Sequence, residues 1–423
     1  MSKFLYGIDF GTTNSALSIY DEDKKEIINT IKVPSLLYFL KEQSAASEEL
    51  NYVVGEHAIT SYLEDGMKGR FIKSIKQILS RSSFIETKIH HKRYNASDLV
   101  ALILKDLKAK ADEIVGYDCK KAIIGRPVFF DDDSTAKDTL AQTRLSKAAA
   151  LAGFTDVRFQ FEPIGAAFAY EKTITKKEKV LVADLGGGTT DFTYLILDPA
   201  KSGNKNRKED MIASGGIYIG GDSFDSAFMW DQGTPHFGKN TKYEATPGKV
   251  LTVPISLFAN ICSWDQMNFF NGLRIKKDME NYYHYSKRDR KFKNLITLID
   301  NNLGYSVFQA IEKTKIELSE QEISQFAYSN MEIEIDEQIS LSQYNTIIQK
   351  DINKISVYLD EFMAKNEIKP EEIDSLFLTG GSSLVSGVQN LFKTKFPHIS
   401  VTSGDNFTSV AKGLAYSGYL FED

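Results

Sequence analysis

The stretch VADLGGGTTDFTYL, Val182 to Leu195, reads as two strands interrupted by three glycines and two threonines, with Asp184 and Asp191 on either side. A hairpin turn needs one glycine or an Asn-Gly pair, so the extra glycines are shaped around something else. Nearly the same order stands at the N-terminus in YGIDFGTTNSALSIY, Tyr6 to Tyr20: apolar strand, aspartate, apolar residue, glycine, Thr-Thr, second strand. Glycine lets backbone N–H groups approach a ligand with no Cβ in the way. Consecutive turn amides form a concave anion site, and Thr12, Thr13, Thr189 and Thr190 add hydroxyl donors. Asp9, Asp184 and Asp191 would repel an anion placed there, and a divalent cation between carboxylates and phosphates removes that conflict. Mg²⁺ keeps most of its waters, so a hydrated ion with aspartates in its outer shell meets the requirement. Two such hairpins facing one another would grip a polyphosphate from both sides. The spacing is not that of a dinucleotide fingerprint, because a strand and not a helix follows the glycines, and no Walker-type loop occurs.

Working outward, the chain repeats one plan. Strands are expected at Leu5–Asp9, Ser15–Tyr20 and Glu26–Lys32, then a loosely patterned insertion with the polar run KEQSAASEEL. A helix capped at Ser97-Asp98 should run to about Val115, followed by the buried strand KKAIIGRP, a helix Ser134–Ala152 stopped by Gly153, the strand DVRFQF and the helix EPIGAAFAYEK. In the second half, strands are expected at Lys179–Asp184, Phe192–Leu197 and Asp210–Gly216. A second insertion follows, then helices near Ser306–Ser319 and Ser342–Lys365, the strand in IDSLFLTGGSS, and helices Leu384–Phe396 and Ser409–Leu420. The two Asp-x-Gly…Thr turns lie much farther apart than the roughly 20–50 residues of a solenoid repeat, so they mark a duplicated domain. The expected architecture is α/β: two duplicated mixed-sheet lobes, residues 1–172 and 173–423, flanking a cleft. The insertions fall at about 33–96 and 222–304.

The bulk properties fit an ordinary globular protein. The chain has 423 residues, 42% of them apolar and 26% charged, which is more than one compact core requires. A net charge of −6 argues against nucleic acid or an anionic membrane as the main partner. The run NYYHYSKRDRKFK is basic and aromatic, a composition that suits RNA binding or a solvated helix face, and the net charge of −6 favours the solvated face. Two cysteines cannot build a disulfide framework, which points to a reducing cytoplasm. No signal peptide is legible, and no stretch approaches about 18 consecutive apolar residues.

Other stretches are weaker taken singly. LTGGSSL, Leu378 to Leu384, runs from a strand to a helix start, where Gly380-Gly381 could meet a phosphate or ribose or simply form a turn. Glu312, Lys315 and Ser319 share a helix face, able to read a ribose and purine or to form a solvated ion-paired face. Glu162 opens a helix with Pro163 behind it, suited either to the helix dipole or to catalysis.

Together GIDFGTTNS, FEPIGAAFAY, VADLGGGTTDF, GGDSFD, IEKTKIELS and LTGGSS resemble the nucleotide-binding domain of the seventy-kilodalton heat-shock chaperone family, within the actin-like ATPase superfamily. The motifs keep the family's order over nearly the whole chain. With WDQMNFFNGLRI, LIDNNLGYSVFQAIEKTKIELS and an end at Asp423, the sequence is most similar to the truncated YegD-type branch, which lacks a substrate-binding domain. The resemblance implies ATP or ADP with Mg²⁺. Gly11, Thr12, Thr13 and Asn14 would hold phosphates from one lobe, and Gly186, Gly187, Gly188 and Thr189 from the other. Asp9 and Asp184 would hold the metal through water, while Glu162, Asp191 and Thr189 complete the catalytic set. Gly220, Gly221, Gly380, Gly381 and Ser382 would line the nucleoside side, with Glu312, Lys315 and Ser319 on ribose and base.

Three positions depart from the family pattern. Ile59 stands where the family has its catalytic lysine, with Lys73 and Lys76 the nearest substitutes, and Ile316 and Leu384 replace the two arginines that sandwich adenine. Losing cation–π attraction costs about 0.5–2 kcal/mol per contact. The expected protein is therefore a Mg-ATP-binding, chaperone-like protein, a weak ATPase at most. Its expected partners are another chaperone, a co-chaperone or a protein client, with no nucleic acid and no membrane. The competing readings are a sugar-type kinase of the same superfamily, a nucleotide-gated interaction protein and an actin-like filament protein.

Overall fold

The computed structural model describes residues 3–41, 52–65, 69–131, 134–201, 208–263, 270, 272–399, 401–403 and 408–421. Most of the polar run KEQSAASEEL and most of the WDQM…N segment of the second insertion lie outside these residues.

Two five-stranded sheets have the same plan. The first contains β1 (Phe4–Phe10), β2 (Asn14–Asp21), β3 (Glu26–Pro34), β4 (Lys121–Arg126) and β5 (Asp156–Phe161), in the order β5-β4-β1-β2-β3. β1, β2 and β3 form an antiparallel meander, and β4 and β5 add in parallel on the other side of β1. The second sheet repeats this with β6 (Glu178–Leu185), β7 (Thr190–Leu197), β8 (Met211–Ile217), β9 (Ser375–Thr379) and β10 (Val401–Ser403), in the order β8-β7-β6-β9-β10. β1 is a central strand buried on both faces, and its near-continuous apolar run Leu5, Tyr6, Ile8, Phe10 reflects that. β3 lies at the edge, where most of its residues keep exposure.

The helices begin where their caps dictate. Asn95, not Ser97, caps the helix Ala96–Val115: its Oδ1 accepts from the Asp98 N–H at 3.1 Å, while Asp98 Oδ2 accepts from the Asn95 N–H at 2.9 Å. This reciprocal pair satisfies two orphan donors, which a cap at Ser97-Asp98 would leave open. The helix Thr135–Leu151 starts at Ser134 as expected. The expected helix from Leu384 begins instead with a 3₁₀ turn, Gly381–Leu384, and becomes α-helical at Ser386–Lys395. The last helix is α-helical only over Ser409–Tyr416.

By compactness the chain divides into one unit of residues 1–218, 357–383 and 392–423, and a second of 219–356 and 384–391. The first unit therefore holds both sheets, and the boundary expected at 172/173 runs between them. They share one core, in which Leu5 and Ile123 of the first sheet pack with Val180, Val182, Leu195 and Phe377 of the second. The helices Glu162–Glu171 and Ser409–Tyr416 meet backbone to backbone in this core: a Cβ on Gly413 would stand 1.6 Å from the Gly165 carbonyl oxygen. A Cβ on Gly7 of β1 would stand 2.3 Å from the Ala415 nitrogen. The first insertion adds a small sheet from Leu37–Phe39, Tyr52–Val54 and Arg70–Ile72, and a helix Glu56–Glu64.

The second unit contains the helices Gly221–Phe228, Leu273–Tyr285, Arg290–Asp300 and Gly304–Leu318 and two hairpins. One hairpin, Ile323–Asn330 with Ile333–Ser340, is absent from the sequence reading, although Ser324, Phe326 and Tyr328 alternate cleanly with exposed neighbours.

Candidate functional site

The two Gly-Thr turns occupy equivalent places in their sheets. The first joins β1 to β2, where Phe10 pairs with Ser15, and the second joins β6 to β7, where Leu185 pairs with Thr190. Gly11 is required locally, because a Cβ there would lie 2.1 Å from the Asn14 carbonyl oxygen. Ser35 backs this turn: its Oγ donates to the Gly11 carbonyl at 2.7 Å and its N–H to the Thr13 carbonyl at 2.8 Å. In the second turn the Gly186 N–H donates to the Thr189 carbonyl at 2.9 Å, and Ser382 Oγ donates to the Gly186 carbonyl at 2.9 Å. Gly380 takes a φ of +80°, and a Cβ on it would stand 2.7 Å from Asp184 Oδ1. So the LTGGSS segment lies directly behind the second turn. The turns themselves come together: a Cβ on Gly188 would be 3.8 Å from Thr12 Cγ2 and 3.1 Å from Gln77 Nε2. Thr13 Oγ1 is enclosed here with no hydrogen-bond partner among the described residues.

Beneath the turns sits a cluster of charge drawn from distant parts of the chain. Lys76 Nζ donates to both oxygens of Glu162, at 2.7 and 2.9 Å, with both side chains nearly enclosed. Asp9, Asp184 and Asp191 complete the cluster. Burial, reinforced by the negative charge of Glu162 and only partly offset by Lys76, pushes Asp9 up to about 7. Asp184 rises to about 7 through burial and the charges of Asp9 and Glu162. Asp191 rises to about 7 through burial and Asp184, although Thr189 Oγ1 donates to its Oδ2 at 2.9 Å. Burial works against the charge on Lys76, but Glu162 and Asp9 outweigh it, so its pKa stands above the usual lysine value. Among the described residues, four carboxylates (Asp9, Glu162, Asp184 and Asp191) thus face the Lys76 ammonium. Such an excess of enclosed negative charge is relieved by protons or by a cation. Among the described residues no group of three or more His, Cys, Asp or Glu is arranged to hold a metal ion directly.

The sequence left the cation open between Lys73 and Lys76 once Ile59 took the expected place. Lys76 is the lysine whose charge acts on Asp9, Asp184 and Asp191. It reaches them from a four-residue 3₁₀ turn, Ile75–Ile78, entered through Ser74 at φ 56°. Glu162 is buried at the start of its helix, so its position serves the cluster as well as the helix dipole.

The remaining candidates, apart from Gly380, Gly381 and Ser382, lie in the second compact unit. There Lys315 Nζ pairs with both oxygens of Asp225, in the GGDSFD motif, at 2.8 and 2.9 Å. Ser319 Oγ donates to the Lys315 carbonyl, and Glu312 is exposed. The Gly220 N–H donates to Ser223 Oγ at 3.4 Å at the start of the helix containing Gly221. Ile316 and Leu384 are 58% and 39% exposed, as single apolar side chains at a protein surface often are.

The family model described as Hsp70 protein matches residues 5–249 and 282–422, and the chain belongs to the Hsp70 family. Its duplicated sheets are those of the family's actin-like ATPase fold. It is 28% identical to the chaperone protein DnaK of Thermosipho melanesiensis over 93% of this chain and 55% of that protein. Against the DnaK of Thermotoga petrophila it is 28% identical over 98% of this chain and 59% of the relative. Against that of Mycoplasmopsis pulmonis it is 25% identical, over 98% and 58%. The chain thus spans little more than half the length of these relatives. No helix among the described residues is long and apolar enough to cross a membrane.

Proposed function

We propose that the chain binds Mg-ATP between its two Gly-Thr turns and hydrolyses it slowly. The observation that carries this reading is the juxtaposition of the two turns above an acidic cluster only partly compensated by Lys76, with the Thr13 hydroxyl lacking a partner among the described residues. The residues fit the ligand: Gly11, Thr12 and Thr13 with Gly186–Thr189 offer amides and hydroxyls, and Asp9 and Asp184 suit the outer shell of a hydrated Mg²⁺. Bound Mg-ATP would supply an activated phosphoryl group and the positive charge that the carboxylates lack. Glu162 and Asp191 would orient a water and hold its proton. Lys76 supplies the preorganised positive charge that phosphoryl transfer needs. Its double hydrogen bond to Glu162 keeps both groups occupied, which supports slow turnover. Family membership supports a chaperone-type role in the cytoplasm, with a co-chaperone or protein client as partner.

Calorimetric titration with ATP, ADP and AMP-PNP, with and without Mg²⁺, tests binding, and an overnight phosphate-release assay tests turnover. The expected result is Mg²⁺-dependent binding with low but measurable release. No binding at millimolar ATP would overturn the reading.

A further inference from the structure

Lys76 lies on a segment with little regular structure. After the 3₁₀ turn Ile75–Ile78 the chain runs to Phe84 without helix or strand. Such a segment needs partners for its carbonyl groups. They converge on one side chain. Arg144, on the helix Thr135–Leu151, donates from Nη1 to the carbonyls of Ile78, Leu79 and Arg81 at 3.0, 2.9 and 3.0 Å, and from Nη2 to that of Phe84 at 2.8 Å. Nη1 carries two hydrogens for three acceptors, so one hydrogen is shared. A planar guanidinium with a rigid fork of donors suits this task, and a lysine ammonium with three rotatable donors suits it less well.

We propose that Arg144 is a positioning residue: by gathering the carbonyls of Ile78 to Phe84 it holds the turn that carries Lys76 in the acidic cluster. Ile75 and Leu79, both fully buried, anchor the segment to the core. They fix its depth, while the guanidinium fixes the direction in which its backbone leaves the turn. The same hold keeps Gln77 beside Gly188 in the second Gly-Thr turn. One arginine thus orders a third wall of the site, from a helix that contributes no residue to the cluster itself. The link to turnover rests on the reading proposed above; the link to Lys76 does not.

The test separates the two. With ¹⁵N-labelled lysine, an enclosed, hydrogen-bonded ammonium gives a slowly exchanging side-chain resonance, which the Lys76→Ala variant assigns. In nucleotide-free Arg144→Ala that resonance is expected to vanish or broaden, and in Arg144→Lys to return in part. Phosphate release is expected to fall by roughly ten- to a hundredfold in Arg144→Ala, with no further fall when the change is made in Lys76→Ala. An unchanged resonance in Arg144→Ala overturns the proposal. So does a loss of turnover that multiplies with that of Lys76→Ala, since independent effects would add in free energy. If Arg144→Ala does not fold, Arg144→Gln replaces it, and an unshifted resonance there is equally fatal. If the resonance is lost but Lys76→Ala leaves turnover untouched, Arg144 still positions Lys76 and it is the role of Lys76 in turnover that fails; if the wild type binds no ATP, it is the nucleotide reading that fails.

Discussion

At the scale of single residues, the proposed chemistry depends most on Lys76, whose ammonium pairs with Glu162 and acts on Asp9, Asp184 and Asp191. Removing one preorganised donor from an active site costs about a hundred- to a thousandfold in rate, so Lys76→Ala should lower phosphate release by that order. ATP binding should persist, because in the reading proposed above the turns and not the lysine would contact most of the phosphate. Measurement of release and of affinity on the same variant separates the two, and equal release in wild type and variant would remove Lys76 from the mechanism. Ile59→Lys is expected to add little to the wild type, since Lys76 already fills the cluster. The aspartates make a different prediction. Asp9→Asn and Asp184→Asn should weaken binding of Mg-ATP more than binding of metal-free ATP, because a carboxylate facing phosphate is tolerable only across a cation. Calorimetry in Mg²⁺ and in EDTA reads the difference directly, and equal losses in both would mean that neither residue serves the metal.

At the scale of elements, the helices Glu162–Glu171 and Ser409–Tyr416 meet through Gly165 and Gly413, with no room for a side chain. Gly413→Ala should therefore destabilise the fold by about 3 kcal/mol or more through forced separation of the helices, and urea unfolding would show it as a lower midpoint. Gly116→Ala is a useful contrast. It has open space around it but a φ of 65°, so its smaller cost, about 1 kcal/mol, would be backbone strain alone. The elements that frame the site were legible in the sequence because their signals are local: a strand, an aspartate, a glycine turn and a strand are written within a dozen residues. The cap at Asn95 was legible too, as an Asn-x-x-Asp pair, but Ser97-Asp98 offered a competing start. The hairpin Ile323–Ser340 carries period-two alternation, which the strong helices on either side obscured. The place of Lys76 was not legible. A four-residue 3₁₀ turn has no periodicity, and what brings this one to the cluster is the burial of Ile75 and Leu79 and the reach of Arg144, contacts that span from a few to more than sixty residues of sequence.

For the whole molecule, the acidic cluster couples folding to pH. Asp9, Asp184 and Asp191 have folded-state pKa values raised to about 7, so the native protein keeps protons that the unfolded chain releases. Their contribution to stability is full below the ordinary carboxylate range and is lost as pH rises through about 7. Without nucleotide, Asp184→Asn should therefore gain in melting temperature relative to wild type as pH is raised from 5 to 8; a difference that stays constant over that range would show the site to be uncharged or fully screened. Mg-ATP should raise the wild-type melting temperature most at the upper end, where the cluster is ionised. Chain connectivity sets a last property. The polypeptide passes between its two compact units four times, after Tyr218, Ser356, Ser383 and Leu391, and the second of these crossings falls inside the helix Leu341–Lys365. Neither unit is one continuous stretch of chain, so a single protease cut cannot release either as an independent piece. Fragments produced by a nick near residue 218 should stay together through native chromatography and part only in denaturant, and a gene encoding 219–356 alone would make a unit missing the strip 384–391 that completes it.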